Sequence, residues 1–445
     1  MPKVYKVISS LLSVTFLVVG SNGTQTFANE PQATKAGAGV LGGWVTETSK
    51  MEGFPLELTR VLHNPAQATK VGTRPERLFL KPFLASKNIE LGLDLSYKQI
   101  GMSGSGGPIS LSDSGKTSIF ADCTARTAGA VDCDSVLIYK SPDISSSSVS
   151  SDYEKLDISS LGGIDNHEIL PDPDGKHFWA ARYLVKPCGS TTYLCGIKSP
   201  KLTKSFFDCE VIKFDRNAKI SFSWLASRKL PKSELRMERW ASFPIGGAYD
   251  GIYADPFHCN SIDVSADSKK FLVSMRHTDS VYEVDVKTGS VNWKLGGNLL
   301  KGKSLLINGK NPSTVLGGQH DARYAASGAI SVFDNGTNQG RAARGLVVLP
   351  NQKNKSAKII SEMKDPLGEN SRCTGSFRSV AKASYWVATW GCSSNGATVF
   401  DSKGKPIVSA YFARSEANRP FIGTPISFIA TGFGYRALPY TPKAG

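Results

Sequence analysis

The chain has 445 residues, enough to bury a large core in one closed fold or in two or three domains. Apolar residues make up 40% and charged residues 20%, which excludes a disordered chain. The formal charge of +15 attracts anions in general, but no nucleic-acid motif and no Lys/Arg run interleaved with aromatics along one helix accompanies it. Residues 1–28 read as a secretory signal: Lys3 and Lys6 form a basic start, 7–20 is an apolar stretch too short to span a bilayer comfortably, and Thr26-Phe27-Ala28 fits a small-x-small cleavage site. The alternative is an uncleaved anchor. Removing 1–28 deletes two lysines and no acids and leaves +13; no second long apolar run follows, so the mature chain is expected to be soluble with no stable membrane insertion.

Residues 29–75 read as a leader or spacer, with Pro31, Gly37, Gly39, Gly42 and Gly43 and no steady period, or with a first strand around 40–45. The domain is expected over 76–445. Leu78-Phe79-Leu80 starts a strand that Pro82 ends or places at an edge. Turn signals then recur every 10–20 residues or so, at Asp113-Ser114-Gly115, Asp172-Pro173-Asp174-Gly175, Asp215-Arg216-Asn217, Asp267-Ser268-Lys269, Lys287-Thr288-Gly289, Ser327-Gly328 and Asp401-Ser402-Lys403-Gly404. Two of them lead into strands ending at Trp224 and Trp293. The unit is two hairpins, hence a four-stranded sheet, and about six units fit from residue 76 onward. The expected fold is all-β, a six-bladed β-propeller of four-stranded blades; two β-sandwiches are the alternative. A short helix is expected at 230–238 and a long Ser-rich loop at 141–151.

Export puts the eight cysteines in an oxidising compartment. Neighbours in sequence suggest Cys123 with Cys133, Cys188 with Cys195 and Cys373 with Cys392, leaving Cys209 and Cys259 unassigned. No tight Cys-x-x-Cys spacing suggests zinc.

Three of the six histidines stand at one phase of the repeat. His167 precedes Gly175 by eight residues, His320 precedes Gly328 by eight, and His258 precedes Ser268 by ten. If the sheets close radially, these side chains converge near one axis. Strand alternation puts Asn260 on the His258 face and Cys259 into the blade, and puts Arg276 inward and His277 on the other face. The expected channel group is His167, His258, Asn260, Arg276 and His320, with no carboxylate on those faces. Such a group donates hydrogen bonds and suits an anionic tetrahedral oxyanion. The plainer reading of each histidine alone is packing. Three imidazoles could also hold a metal such as zinc, but Arg276 would repel the cation, so no metal and no cofactor is expected. His63 and His177 are out of phase and read as surface or loop residues.

At these residues the chain resembles the arylsulfotransferases, specifically the secreted arylsulfate sulfotransferase-like propellers. The matching segments are Asn166-His167-Glu168-Ile169-Leu170-Pro171, Asp255-Pro256-Phe257-His258-Cys259-Asn260-Ser261-Ile262-Asp263, Val273-Ser274-Met275-Arg276-His277, Tyr282-Glu283-Val284-Asp285 with Thr288-Gly289, Trp293-Lys294-Leu295-Gly296-Gly297 and Gln319-His320-Asp321-Ala322-Arg323. The resemblance covers most of 76–440 and is strongest over 160–350. It implies a six-bladed propeller and sulfuryl transfer without a nucleotide donor, from an aryl sulfate to a phenolic acceptor through a sulfohistidine. It implies His320 as nucleophile and His167, His258, Asn260 and Arg276 as supporting residues, in a periplasmic or extracellular protein. Family members known as bacterial enzymes carry an extra N-terminal β-domain where this chain has a short irregular leader. Cys259 beside His258 has no part in that mechanism. Two other functions fit the composition: a non-catalytic propeller that binds an anion or a protein, and a metal-dependent hydrolase. Oligomeric state is not legible.

Overall fold

The computed structural model describes residues 39–41, 44–50, 56–80, 87–103, 108–111, 117–124, 132–139, 153–187, 202–236, 240–243, 251–366, 371, 373–391, 396–414 and 436–441. Six sheets stand in a ring, as the repeat count and the resemblance imply. From the centre outward, blade 2 runs Pro108–Leu111, Ser118–Thr124, Asp132–Tyr139 and Tyr153–Asp157. Blade 3 runs Ile164–Pro171, His177–Pro187, Leu202–Asp215 and Ile220–Leu225. Blade 4 runs Cys259–Val264, Lys270–Met275, Ser280–Asp285 and Val291–Gly296. Blade 5 runs His320–Tyr324, Ile330–Asp334, Arg344–Asn351 and Ser356–Lys364. Blade 6 runs Ser376–Val380, Tyr385–Thr389, Gly396–Asp401 and Pro406–Arg414.

Blade 1 closes the ring. Its innermost strand, Leu438–Tyr440, comes from the far end of the chain and pairs with Arg77–Leu80, followed by Lys87–Gly92 and Tyr97–Ser103. The innermost strands touch one another in sequence around the whole circle.

The spacer expected over 29–75 contains more structure than its composition shows. Leu56–Leu62 pairs with the outer strand of blade 6, and Trp44–Lys50 and Gly39–Leu41 extend that sheet to seven strands. A helix, Pro65–Gly72, follows, capped by the Asn64 side chain, which accepts from the Gln67 N–H at 3.1 Å. Blade 3 also carries an extra hairpin, Trp240–Phe243 and Gly251–Ala254, docked parallel on its third strand. Near 230–238 the chain forms a single turn at Ala226–Lys229 and a 3₁₀ turn at Lys232–Glu234 instead of a longer helix. Residues 1–28, 141–151, Cys188 with Cys195, and the turn at Asp113 lie outside the described residues.

Five hairpin turns are local chemistry. An aspartate opens each of them and its carboxylate accepts a backbone N–H two or three residues on: Asp172 from Asp174, Asp215 from Asn217, Asp267 from Lys269, Asp285 from Thr288, and Asp401 from Lys403, at 2.8–3.2 Å. Apolar side chains then fill the space between neighbouring blades. Trp179, Trp224, Phe271 and Tyr282 pack between blades 3 and 4, and further clusters fill each of the other junctions. The Trp179, Phe222 and Phe271 rings lie 5.5–5.9 Å apart, and the Trp224 indole donates to Gly289 O at 3.0 Å. Truncating one such aromatic to Ala costs about 3–5 kcal/mol.

Cys209 and Cys259 form a disulfide that ties the third strand of blade 3 to the innermost strand of blade 4, with Cα atoms 6.1 Å apart. Closing its 50-residue loop contributes about 4 kcal/mol by chain entropy. Cys133 and Cys373 are also disulfide-bonded, and the ladder places Cys123 opposite Cys133.

Candidate active site

His167 and His320 sit on the innermost strands of blades 3 and 5, His258 directly before that of blade 4, and the regular ladder breaks near each of them. Register shifts fall between Ile164 and Ile169, between Cys259 and Ser261, and between His320 and Arg323. His258 and Asp321 adopt left-handed backbone, φ 50° and 54°. A bulge bends its strand and re-aims a side chain. Strict alternation is therefore a poor guide here. His167 lies inside its strand rather than opening it, and His258 immediately precedes its own.

The bulges bring the imidazoles together. The rings of His167 and His258 are 5.9 Å apart and edge to face. Arg276, His258 and His167 all lie close enough for their charges to disfavour protonation of His320. Burial is the largest cause of that shift, Arg276 the next, and together they hold the His320 pKa well below its ordinary value.

Each of the three imidazoles is anchored through Nδ1. His167 Nδ1 donates to the Asp165 carboxylate, and His258 Nδ1 to Asp255 Oδ2 at 2.6 Å. Burial pushes the Asp255 carboxyl up, but His258 and His277 beside it bring it below its usual range, so it accepts as an anion. His320 has an amide partner instead: Nδ1 lies 2.7 Å from Asn335 Oδ1. The Asn335 Nδ2 faces two carbonyls, Thr374 O at 2.9 Å and Ser371 O at 3.2 Å, which accept only. Its oxygen must therefore face the imidazole, and the proton of neutral His320 resides on Nδ1. Nε2 carries the lone pair. A neutral imidazole with a fixed tautomer is a competent nucleophile.

Asn260 is wholly buried and its Nδ2 donates to Gln319 O at 2.7 Å. The donor expected to face an anion thus holds the peptide that leads into His320. Gln319 in turn donates to Met275 O and Ser280 O, at 3.1 and 2.8 Å. Arg276 begins a 3₁₀ turn, Arg276–Thr278. Gly296 and Gly297 let the outer strand of blade 4 cross beneath this turn: a Cβ at either would come within 2.2–2.3 Å of Thr278 O or Asp279 O. Asp279 Oδ1 accepts the Gly318 N–H at 2.7 Å, so Arg276 and His320 are carried by segments tied to each other.

Two readings from sequence need correction. Alternation along a strand puts His277 on the face away from the channel. The strand ends at Met275, and the turn swings the His277 ring to 4.7 Å from His258. Burial drives the His277 pKa down to about 3, so it is neutral near pH 7. The absence of carboxylates also fails: Asp165 and Asp255 stand directly behind two imidazoles. Both are legible locally, two and three residues before their histidines; Asn335, fifteen residues from His320, is not.

Asp255, His258 and His277 offer ligand atoms within 4.8 Å of one another. Hydrogen bonds account for that grouping, since both Nδ1 atoms donate to Asp255, His277 to its backbone carbonyl. His177 pairs with Asp174, in the turn that follows the innermost strand of blade 3, at 2.7 Å, and His63 meets Ser409 Oγ on blade 6 at 2.8 Å.

A family model described as Arylsulfotransferase (ASST) matches residues 131–413, from the third strand of blade 2 to the last strand of blade 6. The chain belongs to the arylsulfotransferase family. All five candidate residues of this arylsulfotransferase fold lie in the matched stretch. No curated protein matches the chain. Among solved structures it is similar to TolB from Acinetobacter baumannii, at TM-score 0.40 and 11% identity over 82% of this chain and 65% of that one. It is similar to a luciferin-regenerating enzyme at 0.39 and 10% over 86% and 91%, and to a putative 6-phosphogluconolactonase from Bacteroides uniformis at 0.39 and 9% over 76% and 100%.

Proposed function

We propose that this arylsulfotransferase moves a sulfuryl group from an aryl sulfate to a phenolic acceptor through a sulfohistidine at His320. The observation that carries the reading is the Asn335 amide, whose orientation leaves the His320 lone pair on Nε2. In the first half-reaction Nε2 attacks sulfur in line; the N–S bond forms as the S–O(aryl) bond breaks. Sulfuryl transfer resembles phosphoryl transfer in needing positioning and neutralisation of equatorial oxygens more than covalent work. Arg276 and His258 are assigned to those oxygens. His167, backed by Asp165, gives a proton to the leaving phenolate, whose conjugate acid has a pKa of about 10 by analogy with Tyr. The phenolic acceptor returns that proton to His167 as it takes the sulfuryl group. Asn260 is assigned to holding the Gln319 carbonyl and so the approach to His320.

We further propose export to the periplasm or the extracellular space. The Cys209–Cys259 disulfide supports this, and among the described residues no helix is long and apolar enough to cross a membrane. The test is incubation with 4-nitrophenyl sulfate, with and without phenol. Nitrophenol release that needs His320 supports transfer. Tight sulfate binding without release would instead identify an anion-binding propeller.

A further inference from the structure

Arg436 lies two residues before the first residue of the ring-closing strand, Leu438–Tyr440, and its side chain is only 6% exposed. Its guanidinium addresses three blades at once. Nη1 donates to the backbone carbonyl of His167 and lies 3.0 Å from Glu168 Oε2 on blade 3. Nη2 donates to the backbone carbonyl of Asn260 on blade 4 at 2.7 Å. Nε lies 3.2 Å from Asp321 Oδ1 on blade 5. Two of these four partners are carbonyls of candidate site residues, and the other two, Glu168 and Asp321, are the chain neighbours of His167 and His320.

Arg323 and Arg378 complete the cluster. Arg323 pairs with Asp321 and Glu168 and donates to Ile262 O at 2.8 Å, and Arg378 meets Asp321 Oδ1 at 2.8 Å. Burial opposes ionisation of Asp321, but the three guanidiniums hold its carboxyl far below the usual range. Arg378 pairs with Asp321, and Arg323 pairs with two acids and holds the backbone at Ile262, whereas Arg436 bonds the carbonyls of His167 and Asn260 themselves.

We infer that Arg436 is a positioning residue for sulfuryl transfer: its planar fork, delivered by the strand that closes the ring, sets the mutual placement of the three histidine-bearing strands. The inference rests on the proposed function. A guanidinium suits the task because its N–H groups diverge in one plane at fixed angles. An ammonium keeps the charge but cannot bond all three strands in that plane. Ring closure and site assembly are then one event.

The test compares Arg436→Lys with Arg344→Lys, whose arginine pairs with Asp334 and Glu362 on blade 5. For Arg436→Lys, kcat on 4-nitrophenyl sulfate is expected to fall about 100-fold with KM within about threefold, the loss typical of misplacing reacting groups by about 1 Å. The side-chain ¹⁵N resonances of His167 and His258 should shift in Arg436→Lys and stay fixed in Arg344→Lys. If the lysine variant does not fold, Arg436→Gln takes its place with the same readouts. Unmoved imidazole resonances with a wild-type kcat would overturn the inference. If the wild-type protein itself releases no nitrophenol, the sulfotransfer reading fails, and the resonances alone decide whether Arg436 positions the histidines.

Discussion

Within the same blades, the outer hairpins and the innermost strands are built on opposite principles. The outer hairpins of blades 3 and 4 follow local rules: an aspartate opens the turn, the ladder keeps its register apart from one shift beside that turn, and alternate residues fill the space between blades. The innermost strands of blades 3, 4 and 5 break those rules with bulges, left-handed residues and a buried ionic cluster. Apolar packing between outer strands holds the ring, and the stability it supplies permits irregular inner strands that aim three imidazoles at one place.

His320→Ala should separate the two regions most sharply. It removes the proposed nucleophile and should lower kcat by about 10³-fold or more, while the unfolding midpoint changes little; nitrophenol release and urea titration together check this. An intermediate effect is expected at Asn335. Asn335→Leu removes the acceptor that fixes the tautomer, and kcat should fall about 10–100-fold with KM nearly constant. Asn335→Asp sets a carboxylate behind His320, as behind His167 and His258; the acid limb of kcat should then move to higher pH, because the anion favours the imidazolium.

Trp179→Ala tests the other half of the comparison. Stability should drop by about 3–5 kcal/mol, with kcat of the folded fraction within about threefold of wild type, read by calorimetry and low-temperature kinetics. A large loss of kcat at full occupancy of the folded state would show that outer packing and inner geometry are not separable.

His277 gives the smallest effect on rate and a distinct one on stability. Its folded pKa, about 3, lies below its unfolded value, so the unfolded chain binds more protons on acidification. The stability it contributes is present above pH 6.5 and is lost as pH falls. Between pH 6.5 and 4.5 that loss amounts to about 2 kcal/mol. His277→Phe should therefore flatten the fall in urea stability over that window by this amount, and lower kcat less than about tenfold. In the wild-type protein, the His277 ring protons should not titrate above pH 5.

What was legible in the sequence follows the same division. Asp-led turns, Trp-ended strands and the phase of His167, His258 and His320 are encoded within a few residues, and they point to blades of two hairpins and to the candidate group; the first two blades and the last follow only from spacing and from the family resemblance. The closing strand at Leu438–Tyr440 and the strands over 39–62 have no local period of their own, since their partners lie across the chain. Alternation misplaced His277 because the strand gives way to a 3₁₀ turn. Asn335 and Arg436 were invisible for a different reason: their roles are defined by partners on other blades. The Cys209–Cys259 bond, which spans 50 residues, is a contact of that long-range kind.

The most direct test is intact-mass and peptide analysis of the wild-type chain and of His320→Ala after brief exposure to 4-nitrophenyl sulfate without acceptor. One sulfuryl group should appear on the wild-type peptide that contains His320, disappear when phenol is added, and be missing from the variant. A wild-type chain that releases nitrophenol but carries its sulfuryl group elsewhere, or one that neither reacts nor releases nitrophenol, would contradict the account.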